Sequence, residues 1–208
     1  NYEFLDGKIL YGSLNFYNTN ALIQNSEFFR IDSEDALNFI SSTYNINGVS
    51  FNEVSGDAID IDFGSGQIYN SKFINIGNDG IDLSGTLSSI KNLEFNNVDD
   101  KIISVGENAE VQITNLFGSF AFVGVASKDG SKTFVKNINL NNVEIPFASY
   151  IKKKSYEAGF ISVSGKREIQ RYDTIAIKDK NSKILIDGVL SNNVENDILD
   201  KIYNRELL

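Results

Sequence analysis

The chain contains no cysteine, histidine, methionine or tryptophan, and its one proline is Pro146. Without cysteine there are no disulfides and no thiolate metal sites, a pattern compatible with a cytoplasm or with a secreted bacterial protein that does not rely on crosslinks. Without histidine, a Ser-His-Asp triad and imidazole metal ligation are excluded, so any chemistry must use carboxylates, Lys, Arg, Tyr or Ser. The near absence of proline, beside abundant Asn, Ser, Gly and β-branched residues, favours strands joined by tight turns and predicts few helices. No run approaches the roughly 20 apolar residues of a membrane span. The sequence starts at Asn1 rather than at methionine, and a leader or upstream region is expected to be missing from it.

Positive charge is also short. Nineteen basic residues against twenty-eight acidic ones leave a formal net charge of −9, which repels a nucleic-acid backbone over most of the surface. The remaining composition, 41% hydrophobic and 23% charged over 208 residues, is that of one folded domain with a continuous core.

What the chain does have is a repeat. Phe51, Phe73 and Phe95 are 22 residues apart, as are Val54, Ile76 and Val98, then Ile59, Ile81 and Ile103, then Ile61, Leu83 and Val105. A further column, Ile46, Ile68 and Ile90, is followed two residues later by Gly48, Asn70 and Asn92, and the theme returns at Ile23 with Asn25 and at Val135 with Asn137. Self-similarity at such a period is the mark of a solenoid, in which equivalent residues of successive coils stack about 4.8 Å apart. The expectation is an all-β, right-handed parallel β-helix of six to seven coils. Aliphatic ladders fill its interior, and asparagine ladders sit at the bends, where Asn tolerates left-handed backbone. Coils are placed near 14–35, 36–57, 58–79, 80–101, 102–120 and 121–145, with about one more turn in 146–165. The phase slips around Ile31 to Asp35 and around Gln112 to Phe117, where a bulge is the simplest cause.

The expected organisation is therefore solenoid coils over 1–165, followed over 166–208 by a C-terminal strand pair and a helix packed on the same solenoid. Lys183 to Leu190 reads as the strand pair. Val194, Ile198, Leu199, Ile202 and Leu207 fall at helical spacing, and this helix is expected to cap the open end of the stack.

The strings S-G-D-A-I-D-I-D-F at 55–63, G-N-D-G-I-D-L-S-G-T at 77–86, D-K-I-I-S-V-G-E at 100–107 and S-K-D-G-S at 127–131 resemble repeats of bacterial right-handed parallel β-helix proteins of the pectate-lyase-like superfamily. The resemblance covers about residues 20–165. It implies the solenoid fold, a secreted or cell-surface setting and a connection with polysaccharide. It does not choose among lyases, hydrolases, epimerases, tailspikes and adhesins, which share the fold. N-D-G-I-D is similar to the N-T-D-G motif of polygalacturonase-like hydrolases, but their following aspartate pair, histidine and R-I-K string have no counterpart, and Lys101 stands at the matching place in the next coil. The epimerases' histidine-bearing motif cannot be met by a chain without histidine.

In the 22-residue register Asp57, Asp79 and Lys101 form one ladder, with Asp35 in line below them. Asn38, Asp60, Asp82 and Ser104 form a second, with Asp62 and Glu34 beside them. Alternation buries Ile59 and Ile61 and turns Asp60 and Asp62 outward. Stacked carboxylates near 5 Å repel by about 1 kcal/mol or more, so a cation, a shared proton or Lys101 must compensate. Three readings follow. The aspartates cap turns by bonding backbone amides. Asp57, Asp60, Asp62, Asp79 and Asp82 bind Ca²⁺, which takes six to eight oxygen ligands. Or Asp57, Asp60, Asp79, Asp82 and Lys101 are catalytic, as a carboxylate pair or with Lys101 as the base of a calcium-assisted β-elimination.

A second cluster, Lys152, Lys153, Lys154, Tyr156, Lys166, Arg167, Arg171 and Tyr172, combines cations with aromatics. Within it Lys152, Lys154, Tyr156 and Arg171 are the candidates for holding an acidic saccharide or a partner's carboxylates. The functional expectation is a secreted or surface β-helix domain that binds polysaccharide, or another protein domain as a rigid structural or adhesion module. The alternative is a polysaccharide lyase or glycoside hydrolase using the acidic face. An enzyme predicts a groove beside Asp60 and Asp82 that contains a lysine or arginine, and a binding module predicts exposed aromatics along a flat sheet.

Overall fold

The computed structural model describes residues 3–5, 8–170 and 174–204. It is a parallel β-solenoid of about eight turns with about 22 residues per coil and one short helix near the C-terminus. Each coil contributes to three parallel sheets. The first sheet contains Gly12–Tyr17, Asp35–Ile40, Asp57–Asp62 and Ile81–Ser84, continues through 101–106, 123–128 and 145–150, and ends at Ala176–Lys178. The second runs from Asn20–Gln24 through Thr43–Asn47 and Ser65–Tyr69 to Lys183–Ile186. The third begins with Glu27–Ile31, Ser50–Val54 and Lys72–Ile76 and ends in the strand Phe160–Gln170.

The columns read from the sequence are the interior. Phe51 pairs in register with Phe73 and Phe73 with Phe95. Their rings stack at centroid distances of 4.9 and 4.3 Å, extended below by Phe28 at 5.0 Å. The stack ends at Gly118, where an added Cβ would lie 2.4 Å from Ile102 Cδ1, because Ile102 and Leu140 fill the space a fifth ring would take. The bend between the second and third sheets is the expected asparagine ladder. Asn25, Asn70, Asn92, Asn115 and Asn137 have φ between 48° and 61°, and Gly48 has φ 65°. Asn92 Nδ2 donates to Asn70 Oδ1 at 3.0 Å, Asn115 to Asn92 at 2.9 Å and Asn137 to Asn115 at 2.9 Å. Each amide thus satisfies its neighbour while holding the left-handed turn.

The phase slips have identifiable places. Ile31 pairs with Val54, an offset of 23, whereas Asp35 pairs with Asp57, an offset of 22, so the Ile31–Asp35 turn holds one residue more than the equivalent turn of the next coil. Ser84 pairs with Gly106, an offset of 22, but Leu87 pairs with Glu110, an offset of 23, and the register returns to 22 between Val98 and Lys101, which pairs with Val123. The extra residue therefore enters at the Glu107–Asn108 turn, where both φ angles are positive, upstream of the expected Gln112 to Phe117. Lys132 pairs with Phe160, six residues beyond the 22-residue repeat, and the excess forms the loop 151–159.

The stack continues past residue 165, through Phe160–Gln170, Ala176–Lys178 and Lys183–Ile186, which raises the turn count to about eight. Lys183–Ile186 and Val189–Leu190 form the expected strand pair, antiparallel, and it is this pair, with the Lys178–Val194 bridge, that meets the terminal edge. The helix is only Ile198–Tyr203, and it lies elsewhere than expected. Ile198 and Ile202 pack with Val123, Ala126, Ile145, Ala148, Tyr150 and Ile177 on the outer face of the first sheet. Small and apolar residues in the later coils of that face, where earlier coils carry aspartate, give the helix a side wall to bury against rather than an end to cap.

Candidate functional site

The outer face of the first sheet changes character along the axis. Its early coils present Asp35, Asp57, Asp60, Asp62, Asp79 and Asp82. Its later coils present Val123, Ala126, Ile145 and Ala148 under the helix. Asp35 pairs in register with Asp57, Asn38 with Asp60, and Asp60 with Asp82, which is the ladder arrangement expected from the 22-residue spacing.

Three of these carboxylates converge: one oxygen each from Asp57, Asp79 and Asp82 lies within 4.8 Å of the others. Asp57 Oδ1 accepts the backbone N–H of Asp79 at 2.8 Å and Asn78 Nδ2 at 2.6 Å. Asp79 is buried, and its Oδ1 accepts the Lys101 backbone N–H at 3.0 Å and Lys101 Nζ at 3.3 Å. Lys101 Nζ also pairs with Asp100. The second cation is Lys128, whose Nζ donates to Ser104 Oγ at 2.7 Å and lies 3.6 Å from Asp82 Oδ1. It reaches there across Gly106, where an added Cβ would stand 2.8 Å from Lys128 Cε. Asp60 and Asp62 share the face but are outside this triplet, and Asn38 Nδ2 bridges Asp60 Oδ2 at 2.9 Å to Asp35 Oδ2 at 3.0 Å.

Packing carboxylates together under partial cover separates their protonation. Burial, then the charges of Asp79 and Asp82, pushes Asp57 up to about 8. Burial raises Asp35 to about 7 against the bond from Asn38, and burial with Asp35 and Asp62 nearby holds Asp60 well above its ordinary value. Asp79 rises to about 6, burial outweighing Lys101. Asp82 goes the other way: burial opposes ionisation, but Lys128 and Lys101 overcome it and hold the carboxyl below its ordinary value. Burial disfavours the charge of both lysines as well, yet Asp79 and Asp100 raise Lys101, and Asp82 raises Lys128. A lysine base needs the opposite shift, so this geometry makes Lys101 a fixed cation and favours the carboxylate plan over elimination by lysine. The face combines proton-holding carboxyls, one stabilised carboxylate and two buried ammonium groups.

The basic cluster divides. Lys152, Lys154 and Tyr156 lie in the 151–159 loop, which is tied down by aspartates. Asp129 Oδ1 accepts the N–H groups of Lys152 and Lys153 at 2.7 Å, and Asp179 Oδ2 accepts that of Ile151 at 2.6 Å. Lys153 pairs with Glu107, and the Tyr156 hydroxyl donates to Glu107 at 3.2 Å. Among the described residues of the cluster, Lys152 approaches the Tyr203 ring beside the acidic face. Its Nζ is 4.5 Å from the centre of the Tyr203 ring, whose other neighbours are Lys101 Nζ at 5.3 Å and the Tyr150 hydroxyl, 2.7 Å from the Tyr203 hydroxyl. Lys166 pairs with Glu168 and Arg167 with Asp187, away from that loop. Arg171 and Tyr172 lie outside the described residues.

Sequence reasoning misses Lys128, Asp100, Tyr203, Asp129 and Asp179 as site or anchoring residues. Lys128 has a legible signal, since it stands 22 residues beyond Gly106 and 44 beyond Ser84, in the column that contains Asp62. Tyr203 has none, because its place depends on where the helix docks.

Comparison of the chain with known protein families, characterised proteins and solved structures returns no match in any of the three. Among the described residues no helix is long and apolar enough to cross a membrane.

Proposed function

We propose that this chain is a carbohydrate-active β-helix domain of the pectate-lyase-like kind, bacterial and secreted or displayed at a surface, which acts on a polysaccharide laid over the outer face of its first sheet. The observation that carries this reading is the Asp57–Asp79–Asp82 triplet with two buried lysines. A rigid spacer does not need the buried Asp79, Lys101 and Lys128 beside the half-buried Asp57 and Asp82, whereas an acid–base site needs carboxyls whose environments push their protonation apart.

The roles follow from the bonds. Asp57 Oδ1 is engaged by two N–H donors, so its proton sits on Oδ2 and can pass to the oxygen of a departing sugar. Asp82, kept ionised by Lys128 and Lys101, attacks the anomeric carbon as that bond breaks. Water then releases the sugar from Asp82 while Asp57 takes the water's proton. The approach of the carboxyl oxygens to within 4.8 Å suits the close-set retaining arrangement, about 5–5.5 Å between carboxyl groups, rather than the inverting one of about 6.5–9.5 Å. Lys152 and Tyr203 border the site and offer a cation and a ring to the sugar.

Calcium is the other occupant these oxygens suggest. The donor set is all oxygen, as Ca²⁺ prefers, but Asp79 and Asp82 already have ammonium partners that supply the positive charge, and no step here is assigned to calcium. The test is incubation with acidic and neutral polysaccharides, with and without Ca²⁺ or EDTA, reading new reducing ends and unsaturated products. Retaining hydrolysis reduced about 10²–10⁴-fold in Asp57→Asn and Asp82→Asn supports the reading. Unsaturated products that require calcium would replace it with a lyase. No product from any polymer by folded protein would sink it in favour of a binding or adhesion module. That second reading has its own support, since exposed phenylalanines and a broad concavity lie on another sheet.

A further inference from the structure

The outer face of the third sheet has a different chemistry from the acidic face. A concavity of about 440 Å³ runs along it across four coils, lined by Ile74, Asn96, Phe117, Ser119, Asn139 and Asn141. Ile74, Asn96, Ser119 and Asn141 form one column in register, and Phe117 and Asn139 belong to the next. Phe117 is 50% exposed and Ile74 37%, so an aromatic ring and an aliphatic side chain are presented to solvent in the middle of a sheet whose other outward residues here are amides, a hydroxyl and the paired Lys72 and Glu94. The charged side chains bordering the concavity, Lys72 and Glu94, cancel in an ion pair at 2.7 Å.

We infer that this concavity is a binding subsite for an uncharged, extended polysaccharide lying along the solenoid axis, with a sugar ring on Phe117. Three features select that ligand. Carboxamides and a hydroxyl each offer both a donor and an acceptor, which matches sugar hydroxyls and gives no advantage to an anionic polymer. Asn96 Oδ1 accepts Ser119 Oγ at 3.0 Å, which leaves the Asn96 NH₂ to donate, and Asn139 Nδ2 donates to Glu168 at 2.8 Å, which leaves its carbonyl to accept. The face therefore presents donors and acceptors at fixed positions on a rigid sheet. Finally, the columns repeat at the coil spacing of about 4.8 Å, so a chain molecule along the axis meets equivalent polar groups at successive coils. An apolar peptide would leave the amides unpaired, at a cost for each buried polar group.

The subsite rests on the proposed function for the class of ligand and is independent of it in place and in test. The experiment is affinity electrophoresis and calorimetry with soluble neutral polymers (hydroxyethyl cellulose, xyloglucan and glucomannan) and one anionic polymer, polygalacturonate. The proteins are wild type, Phe117→Ala, Asn139→Ala and Asp82→Asn, each checked for an unchanged melting temperature. The expected result is binding of at least one neutral polymer, weakened roughly three- to tenfold by Phe117→Ala, weakened also by Asn139→Ala and unaffected by Asp82→Asn. Neutral-polymer binding that Phe117→Ala leaves intact, or that Asp82→Asn removes, overturns the subsite without touching the acidic-face reading. Binding of polygalacturonate alone, or of none of the polymers, also overturns it. Loss of turnover in Asp82→Asn with neutral binding retained separates the two sites.

Discussion

Replacing Asp35 by asparagine is expected to stabilise the folded chain at pH 8 and to leave it nearly unchanged at pH 4. Asp35 is 4% exposed and stands in register with Asp57. Its side chain accepts one bond, from Asn38 Nδ2 at 3.0 Å, while burial raises its pKa from 3.8 to about 7. A carboxyl raised in this way is protonated in the folded chain over a range where the unfolded chain has already lost its proton. Its contribution to stability is therefore fully present below about pH 4, falls as pH rises, and is lost above about pH 7. A tenfold change in a protonation equilibrium corresponds to about 1.36 kcal/mol, so raising the carboxyl from 3.8 to about 7 costs the folded chain about 4 kcal/mol at pH 8. Asparagine cannot ionise, keeps an oxygen for Asn38 and supplies an NH₂ where the protonated acid had a hydroxyl. Urea unfolding of both proteins between pH 4 and pH 8, followed by far-ultraviolet circular dichroism, measures the difference. An Asp35→Asn protein that is less stable than wild type at pH 8, or that keeps the wild-type loss of stability with rising pH, would refute the reasoning.

Three further outcomes are expected. Lys101→Met breaks a buried ion pair and should cost about 3–5 kcal/mol at pH 8. Adding Asp79→Asn should restore most of that loss, and a single-variant loss below about 1 kcal/mol in the same urea assay would show that Asp79 does not depend on Lys101. Phe73→Ala opens the interior stack between Phe51 and Phe95 and should cost about 3–5 kcal/mol, while a melting temperature equal to wild type would contradict the packing described. Turnover, once a substrate is found, should decline as pH rises through about 8, where Asp57 loses the proton it must donate. A profile flat to pH 9 would remove Asp57 as the acid.

The solenoid was legible because identical side chains at a fixed interval are its cause: Phe51, Phe73 and Phe95 stack because they are one coil apart, and Asn70 and Asn92 bond for the same reason. The aspartate ladders followed from that register. Other features could not follow from it. The 151–159 loop interrupts the period, and its anchoring by Asp129 and Asp179 depends on where that extra length folds back. The helix 198–203 has an apolar pattern that calls for burial but does not say against what, and its docking beside the sheet brings Tyr203 to Lys101. Lys128 belongs to a column of the repeat, but its reach back to Asp82 depends on the absent side chain at Gly106. Protonation was beyond spacing altogether, since adjacent aspartates of one ladder diverge according to which of them meets a buried lysine.

The proposed chemistry depends most directly on the division of labour between Asp57 and Asp82. Carbon-detected nuclear magnetic resonance of the aspartate carboxyl groups, assigned through Asp57→Asn and Asp82→Asn and followed over pH, measures it without any substrate. The prediction is that Asp57 titrates near pH 8 and Asp82 below its ordinary value of 3.8. If both titrate together near 3.8, the acidic face holds no acid–base pair, and its aspartates are turn and surface residues of a structural solenoid.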